Sequence, residues 1–357
     1  MPARQYGMSL IELMIAMTIS LVVIGAVSGV YLSTSRSYTQ DEMLSRMQEN
    51  ARYALHVLSK DLSMAGYWGP LITNDDINTV PRTCSDSDAS DPAKPQCHGF
   101  YAGTALSVDQ DAAGNVCAPG TVGLASNWVL FLQSPLEVAT QVSSGDAAAA
   151  LYGCISASEF ESGTDILAVK RVEARDFSST RDEEDDEGEL YLRTNGRDAM
   201  LVAYDRGDDA SEGAGIADWP YRPSVFYVRN YFLDTDDGIP TLVRKTLNGD
   251  VMETEEGGIA QGIEYFHVMF GVDLDDDGDT TADFYTASPA IDQLDNIVSA
   301  RIYVLARSVS PDPGYDNTKT YSLGDVTRTV DDNYYRRVFT TTVSLRNPRN
   351  RMSTSGS

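Results

Sequence analysis

Gly7-Met8-Ser9-Leu10-Ile11-Glu12-Leu13-Met14-Ile15-Ala16-Met17 begins an apolar run that continues to Leu32. Between Met8 and Leu32 one side chain is charged at neutral pH, that of Glu12. A helix over this stretch is roughly 37 Å long, enough to cross a bilayer with some tilt. A carboxylate five residues into such a segment is costly in hydrocarbon and calls for a partner. A secretory signal peptide would have a basic start, an apolar stretch of about 7–15 residues and then a small-residue cleavage site. Here the order is inverted. A short leader carrying only Arg4 ends at Gly7, and the long apolar segment follows it. An ordinary signal anchor, held with Arg4 inside, would give no role to Gly7 or Glu12.

The stretch from Gly7 to Met17 resembles the class III leader of type IV pilins and of type II secretion pseudopilins. Many relatives carry Phe where this chain has Met8. The resemblance implies cleavage after Gly7 by a prepilin peptidase and N-methylation of Met8. Cleavage would leave a positive amine one helical turn from Glu12, on the same chain or on a neighbour entering a filament. Such a pair gains Coulomb energy at low dielectric and loses much of it to desolvation, so its value lies in register.

Beyond Leu32, Met43, Met47, Ala51, Ala54, Leu58, Leu62 and Ala65 recur every three or four residues. That is one apolar stripe, predicting a helix that lies against a globular domain. Asp41, Glu42, Arg46, Glu49, Arg52, Lys60 and Asp61 are expected on its wet side. Gly66 and Gly69-Pro70 are the stop signals. The expected organisation is a leader over 1–7, a helix over 8–66 with 8–32 transmembrane, a β-rich domain over 67–350, and a flexible tail over 351–357.

From Leu71 to about Gly153 the chain reads as loop-rich. Strands are expected at Trp128–Leu132, Ile166–Val172, Glu189–Arg193, Ala199–Tyr204 and Ser224–Asn230. A hairpin is expected between Thr241–Leu247 and Asp250–Thr254, across Asn248-Gly249. Asp182 to Glu187 is an acidic run read as a solvated loop. The last hundred residues are the most regular, with alternation in Ile263–Val272, Ile297–Ser308 and Tyr335–Leu345. Val298, Ala300, Ile302, Val304 and Ala306 share one face, as do Phe339, Thr341, Val343 and Leu345. The fold class is therefore α+β: a long leading helix packed on a large antiparallel β-rich domain.

The 357 residues carry a net charge of −26 and 42% hydrophobic content. That indicates a real core and argues against nucleic-acid binding, since phosphates would be repelled. Cys84, Cys97, Cys117 and Cys154 include no C-x-x-C pair, which makes a zinc site a poor fit. An even number in an exported domain favours disulfides. Three connectivities are open, with Cys84–Cys97 and Cys117–Cys154 as the first choice, and free buried thiols remain the alternative.

Chain length and four segments narrow the resemblance to PilW-type minor pilins of type IV pili. They are Asn50-Ala51-Arg52-Tyr53-Ala54 through Tyr67, Gly262-Ile263-Glu264 with Phe270-Gly271-Val272-Asp273, Ile297 to Arg301, and Tyr335 to Val343. The resemblance implies a subunit that helps initiate pilus assembly and sits in a tip complex. Its implied partners are other minor pilins, the major pilin, a tip adhesin, the prepilin peptidase and the inner-membrane assembly platform. It would be a single-pass inner-membrane protein with its C-terminal domain in the periplasm, and later part of the pilus at the cell surface, supporting twitching motility. The J-type pseudopilin of type II secretion is the nearest alternative.

Asp273-Leu274-Asp275-Asp276-Asp277-Gly278-Asp279 has the spacing of the first half of a calcium loop. Phe284 stands where an EF-hand has its bidentate Glu, and Asp283 lies one residue early. Two readings remain: a solvated hairpin loop, or a shorter Ca2+ loop with Asp273, Asp275, Asp277, Asp279 and Asp283 as ligands. His56, His98 and His267 form no H-E-x-x-H pair, and there is no G-x-S-x-G, P-loop or dinucleotide fingerprint. The chain is expected not to be an enzyme. A membrane-anchored hydrolase and a calcium-dependent adhesin are the competing classes, because scattered carboxylates leave a glycosidase-like pair open.

Overall fold

The computed structural model describes residues 9–71, 77–78, 132, 135–174, 190–196, 199–203, 217–248, 251–254, 257–274, 281–290, 293 and 296–347. Helix α1 runs from Leu10 to Ser63 without a break. Ser9 caps its start: the Ser9 hydroxyl accepts from Glu12 N at 3.3 Å, and Ser9 N donates to Glu12 Oε2 at 2.8 Å. This is a capping box, with two otherwise unpaired donors satisfied reciprocally. At the other end the final turn tightens through Met64 N to Asp61 O and Ala65 N to Leu62 O. Gly66 then takes φ +69, and its N–H crosses to Lys170 O.

In chain order the first strands are β1 (Ile77–Asn78), β2 (Leu136–Val142), β3 (Thr164–Val169), β4 (Leu190–Thr194) and β5 (Ala199–Ala203). Next come β6 (Ala217–Pro220), β7 (Ser224–Arg229), β8 (Thr241–Asn248), β9 (Val251–Thr254) and β10 (Ala260–Gln261). The last are β11 (Ile263–Val272), β12 (Phe284–Thr286), β13 (Ile297–Arg307), β14 (Thr320–Leu323), β15 (Val326–Thr329) and β16 (Arg336–Ser344). A short helix, α2 (Gly145–Leu151), follows β2.

The C-terminal sheet has the order β12-β11-β13-β16, antiparallel throughout. The central sheet runs β10-β8-β7-β3-β2, with β9 returning on β8. A third sheet has the order β1-β5-β4-β6, while β14 and β15, among the described residues, pair only with each other. The helix stripe Met47, Ala51, Ala54, Leu58 and Leu62 is buried against Phe266, Val268, Ile302 and Val304 of the C-terminal sheet. Leu167, Val169, Phe226 and Val228 of the central sheet complete this core. Their neighbours Ile166, Ala168, Val225 and Tyr227 point the other way, into a second core with Trp68, Leu192, Leu201 and Tyr221. Strands β3 and β7 are thus buried on both faces, which is why they read as continuous apolar runs.

The α+β architecture and the three regular C-terminal strands agree with the sequence reading. Several details differ. Residues 71–153, read as loop-rich, contain β2 and α2. Leu132 lies buried in a turn, and the rest of the strand expected at Trp128–Leu132 is outside the described residues. The β8–β9 hairpin closes on the pair Asn248 and Val251, one position further along than the expected Leu247 and Asp250. Hairpin β14–β15 was missed, although Gly324-Asp325 between alternating residues is a hairpin signal. Asp61, expected on the wet face, is buried. Two arginines from the central sheet region reach it, a partnership that no local pattern announces.

Candidate assembly and membrane interface

The first half of α1 is bare. Every residue from Leu10 to Thr39 is exposed, including Leu10, Ile11, Leu13, Met14, Ile15, Leu21, Val22, Ile24 and Leu32. About 30 residues, some 45 Å of helix, therefore stand clear of the domain. Its length and composition suffice to cross a membrane. Thr18 is accommodated in this apolar segment by donating its hydroxyl to Ile15 O at 2.9 Å. The domain begins at Gln40, whose Nε2 donates to Asp312 Oδ2 at 3.1 Å and to Tyr335 Oη at 3.0 Å.

Glu12 lies within the exposed segment with its carboxylate folded back onto Ser9 N. That orientation points the charge at the helix start, where the macrodipole is positive and favours an anion. Gly7 and Met8, the residues expected at the processing site, lie outside the described residues.

At the β11–β12 connection Asp273 and Asp283 are brought together. Asp283 N donates to Val272 O at 2.9 Å, and Asp283 Oδ2 accepts from Leu274 N at 2.8 Å. Asp275, Asp277 and Asp279 fall outside the described residues, among which no group of three or more His, Cys, Asp or Glu is placed to hold a metal. Cys154 is buried and disulfide-bonded. Cys84, Cys97 and Cys117 lie outside the described residues, as does the acidic run at 182–187. His56 is exposed on α1, and His267 is buried in β11.

Sequence reasoning missed the ionic ties beneath the domain. Arg193 pairs with Asp218 through two hydrogen bonds, at 2.8 and 3.0 Å, with both side chains buried. Lys170, fully buried, donates to Glu137 at 3.0 Å. Burial pushes the Lys170 ammonium down to about 8, against the pull of Glu137.

A bare apolar helix, capped at an acidic residue and continuing into an antiparallel sheet domain, defines the pilin-like class. Residues 2–28 match the prokaryotic N-terminal methylation motif, and residues 230–347 match the family model of type IV pilus-assembly protein W. Comparison with curated proteins and with solved structures gave no match. These two matches support a type IV pilin-like PilW protein, related to the minor pilins of type IV pili. The second match spans β8 to β16, and with them the sheet on which α1 rests.

Proposed function

We propose that this protein is a non-enzymatic minor pilin that helps initiate type IV pilus assembly and forms part of the tip complex. Prepilin peptidase cuts after Gly7, and Met8 becomes the methylated N-terminus. The bare half of α1 anchors the subunit in the inner membrane, with the β-rich domain in the periplasm. On assembly the same half packs among the helices of other minor pilins and the major pilin, and the domain carries a tip adhesin.

The observation that carries this reading is the sharp division of one unbroken helix at Gln40. Apolar surface on that scale needs lipid or other helices to cover it. Glu12, held at the helix start, is positioned to neutralise a Met8 amine of its own chain or of an incoming neighbour. The match over residues 230–347 favours the pilus over a J-type pseudopilin of type II secretion. His267 offers no free ring nitrogen as a base, since both are engaged by carboxylates. We further propose calcium as the ligand of the loop between Asp273 and Asp283, whose two ends are held together. We also propose disulfide pairing of Cys84, Cys97, Cys117 and Cys154.

The test is the N-terminal peptide mass of protein from membranes and from sheared surface fractions. A chain beginning at N-methylated Met8, with loss of surface pili and of twitching motility on gene deletion, is expected. A chain still beginning at Met1 in cells that have the peptidase would refute the pilin reading. Normal pili with lost protein secretion would move it to the type II system.

A further inference from the structure

Among the described residues, hairpin β14–β15 pairs with no other strand. A two-stranded ribbon is marginal in water by itself, so its seat on the sheet beneath decides whether it stays in place. Leu323 and Val326 are buried with Tyr265 and Leu305. Arg328 stacks over Tyr265, 4.3 Å from the ring centroid, and its Nη2 donates to Gly163 O. The turn itself comes very close. Gly324 has φ +70, and a Cβ there would lie 2.3 Å from Met269 Sδ. Beside it, Asp325 Oδ1 meets Nε2 of His267 at 2.7 Å.

His267, on β11, is fully buried. Its Nδ1 meets Oδ2 of Asp165, on β3, at 2.7 Å. Oδ1 of Asp165 accepts from Tyr265 Oη at 2.8 Å and from Gln141 N at 2.9 Å. Each ring nitrogen thus faces a carboxylate oxygen. Only the imidazolium can donate to both; a neutral ring leaves a lone pair against one of them, whichever tautomer it adopts. The other groups around the ring are Tyr265 on its own strand and Tyr303 on β13, with centroids 6.3 and 6.4 Å away. Arg328 from β15 lies beyond Tyr265.

We propose that His267 is a protonation-dependent latch: as imidazolium it joins Asp165 to Asp325 and seats the β14–β15 hairpin, and loss of its proton releases the hairpin. Asp165 is the fixed partner, being fully buried and held by Tyr265 and Gln141. Asp325, with a side chain 55% exposed, is the partner that water replaces. Undocking uncovers Tyr265, Tyr303, Leu305 and Val338 on the outer face of the C-terminal sheet. It also takes Arg328 and Thr329 out of the wall of a cavity of about 190 Å³ that they line together with Glu161 and Glu264.

Burial pushes the His267 imidazole down, but the hydrogen bonds and charges of Asp165 and then Asp325 outweigh it and hold the ring above its usual range. A group raised in the docked state adds stability that is fully present below its undocked pKa. That stability is lost as pH rises through the docked value. The hairpin is therefore seated in acid and released in mild alkali.

Hydrogen exchange of the full chain in detergent micelles, from pH 5.5 to 9.5 and corrected for intrinsic rates, tests this. Protection of the amides in 320–329 should fall by about tenfold per pH unit, one proton's worth, above the ordinary His range. Amides of β13 should keep theirs. In Asp325→Asn the amide can donate to Nε2 of a neutral ring, so hairpin protection should become independent of pH. Flat protection in the wild-type chain, or an unchanged slope in Asp325→Asn, overturns the latch. If that variant does not fold, the imidazole resonances of wild-type His267 decide: their titration must share the midpoint of hairpin release, and a separate midpoint overturns it.

Discussion

Arg171 closes both Nε and Nη2 on Oδ1 of Asp61, at 3.1 and 2.8 Å, and so ties the last turn of α1 to the central sheet. Arg244, on β8, approaches Oδ2 of the same carboxylate at 3.4 Å. The helix that leaves the domain at Gln40 is thereby fixed at its far end by charge as well as by its apolar stripe. Asp61→Ala should cost about 3 kcal/mol, the lower end for breaking a buried ion pair, because both arginines keep some access to water. Thermal melting of the full chain in micelles measures it. The exposed pair Arg46–Glu42 is the control, and Arg46→Ala should stay within about 0.5 kcal/mol.

Glu12 has two separable roles, as helix cap and as charge. Glu12→Gln retains a group able to accept from Ser9 N, and the helix start should survive. It lacks the charge, so incorporation into sheared pili should fall to the level of Glu12→Ala while both variants still insert in the membrane. Full incorporation of Glu12→Gln would reduce the residue to a cap.

Lys170 supplies a pH signature of its own. Its ammonium is held at about 8, below the ordinary lysine value, so between about pH 8 and 10 the unfolded chain binds more protons than the native one. Stability rises with pH wherever that holds. Relative to Lys170→Met, the wild-type protein should therefore gain stability over this interval. Melting of the two proteins at pH 7.5 and 9.5 gives the difference, and a constant gap would contradict it.

For the loop at Asp273–Asp283, calorimetry should register heat on adding calcium, and EDTA should lower the melting temperature. A ligand at a hundred times its Kd adds about 2.7 kcal/mol to stability. The double change Asp273→Asn with Asp283→Asn should abolish both signals. Calcium-silent wild-type protein would leave the loop a plain connection between strands.

The leading helix and the C-terminal strands were legible because their signals are local. Met47, Ala51, Ala54, Leu58 and Leu62 repeat at the helical period, and Ile302, Val304, Phe339 and Val343 at that of a strand. The same locality hid the two-sided burial of β3 and β7, expected as strands at Ile166–Val172 and Ser224–Asn230, whose apolar runs lack alternation because each lies between two cores. It also hid α2, whose alanine-rich run carries too weak a stripe.

By itself the sequence determined the membrane-length helix with its single carboxylate at Glu12, its apolar stripe and the α+β class, since each depends on residues within a few positions of one another. Only the tertiary structure decided that Asp61 is buried against Arg171 and that His267 stands between Asp165 and Asp325, partners 102 and 58 positions away. The physical reason is that a charge becomes a tie or a latch only once the surrounding fold removes water from it, and that removal is a property of the packed chain as a whole.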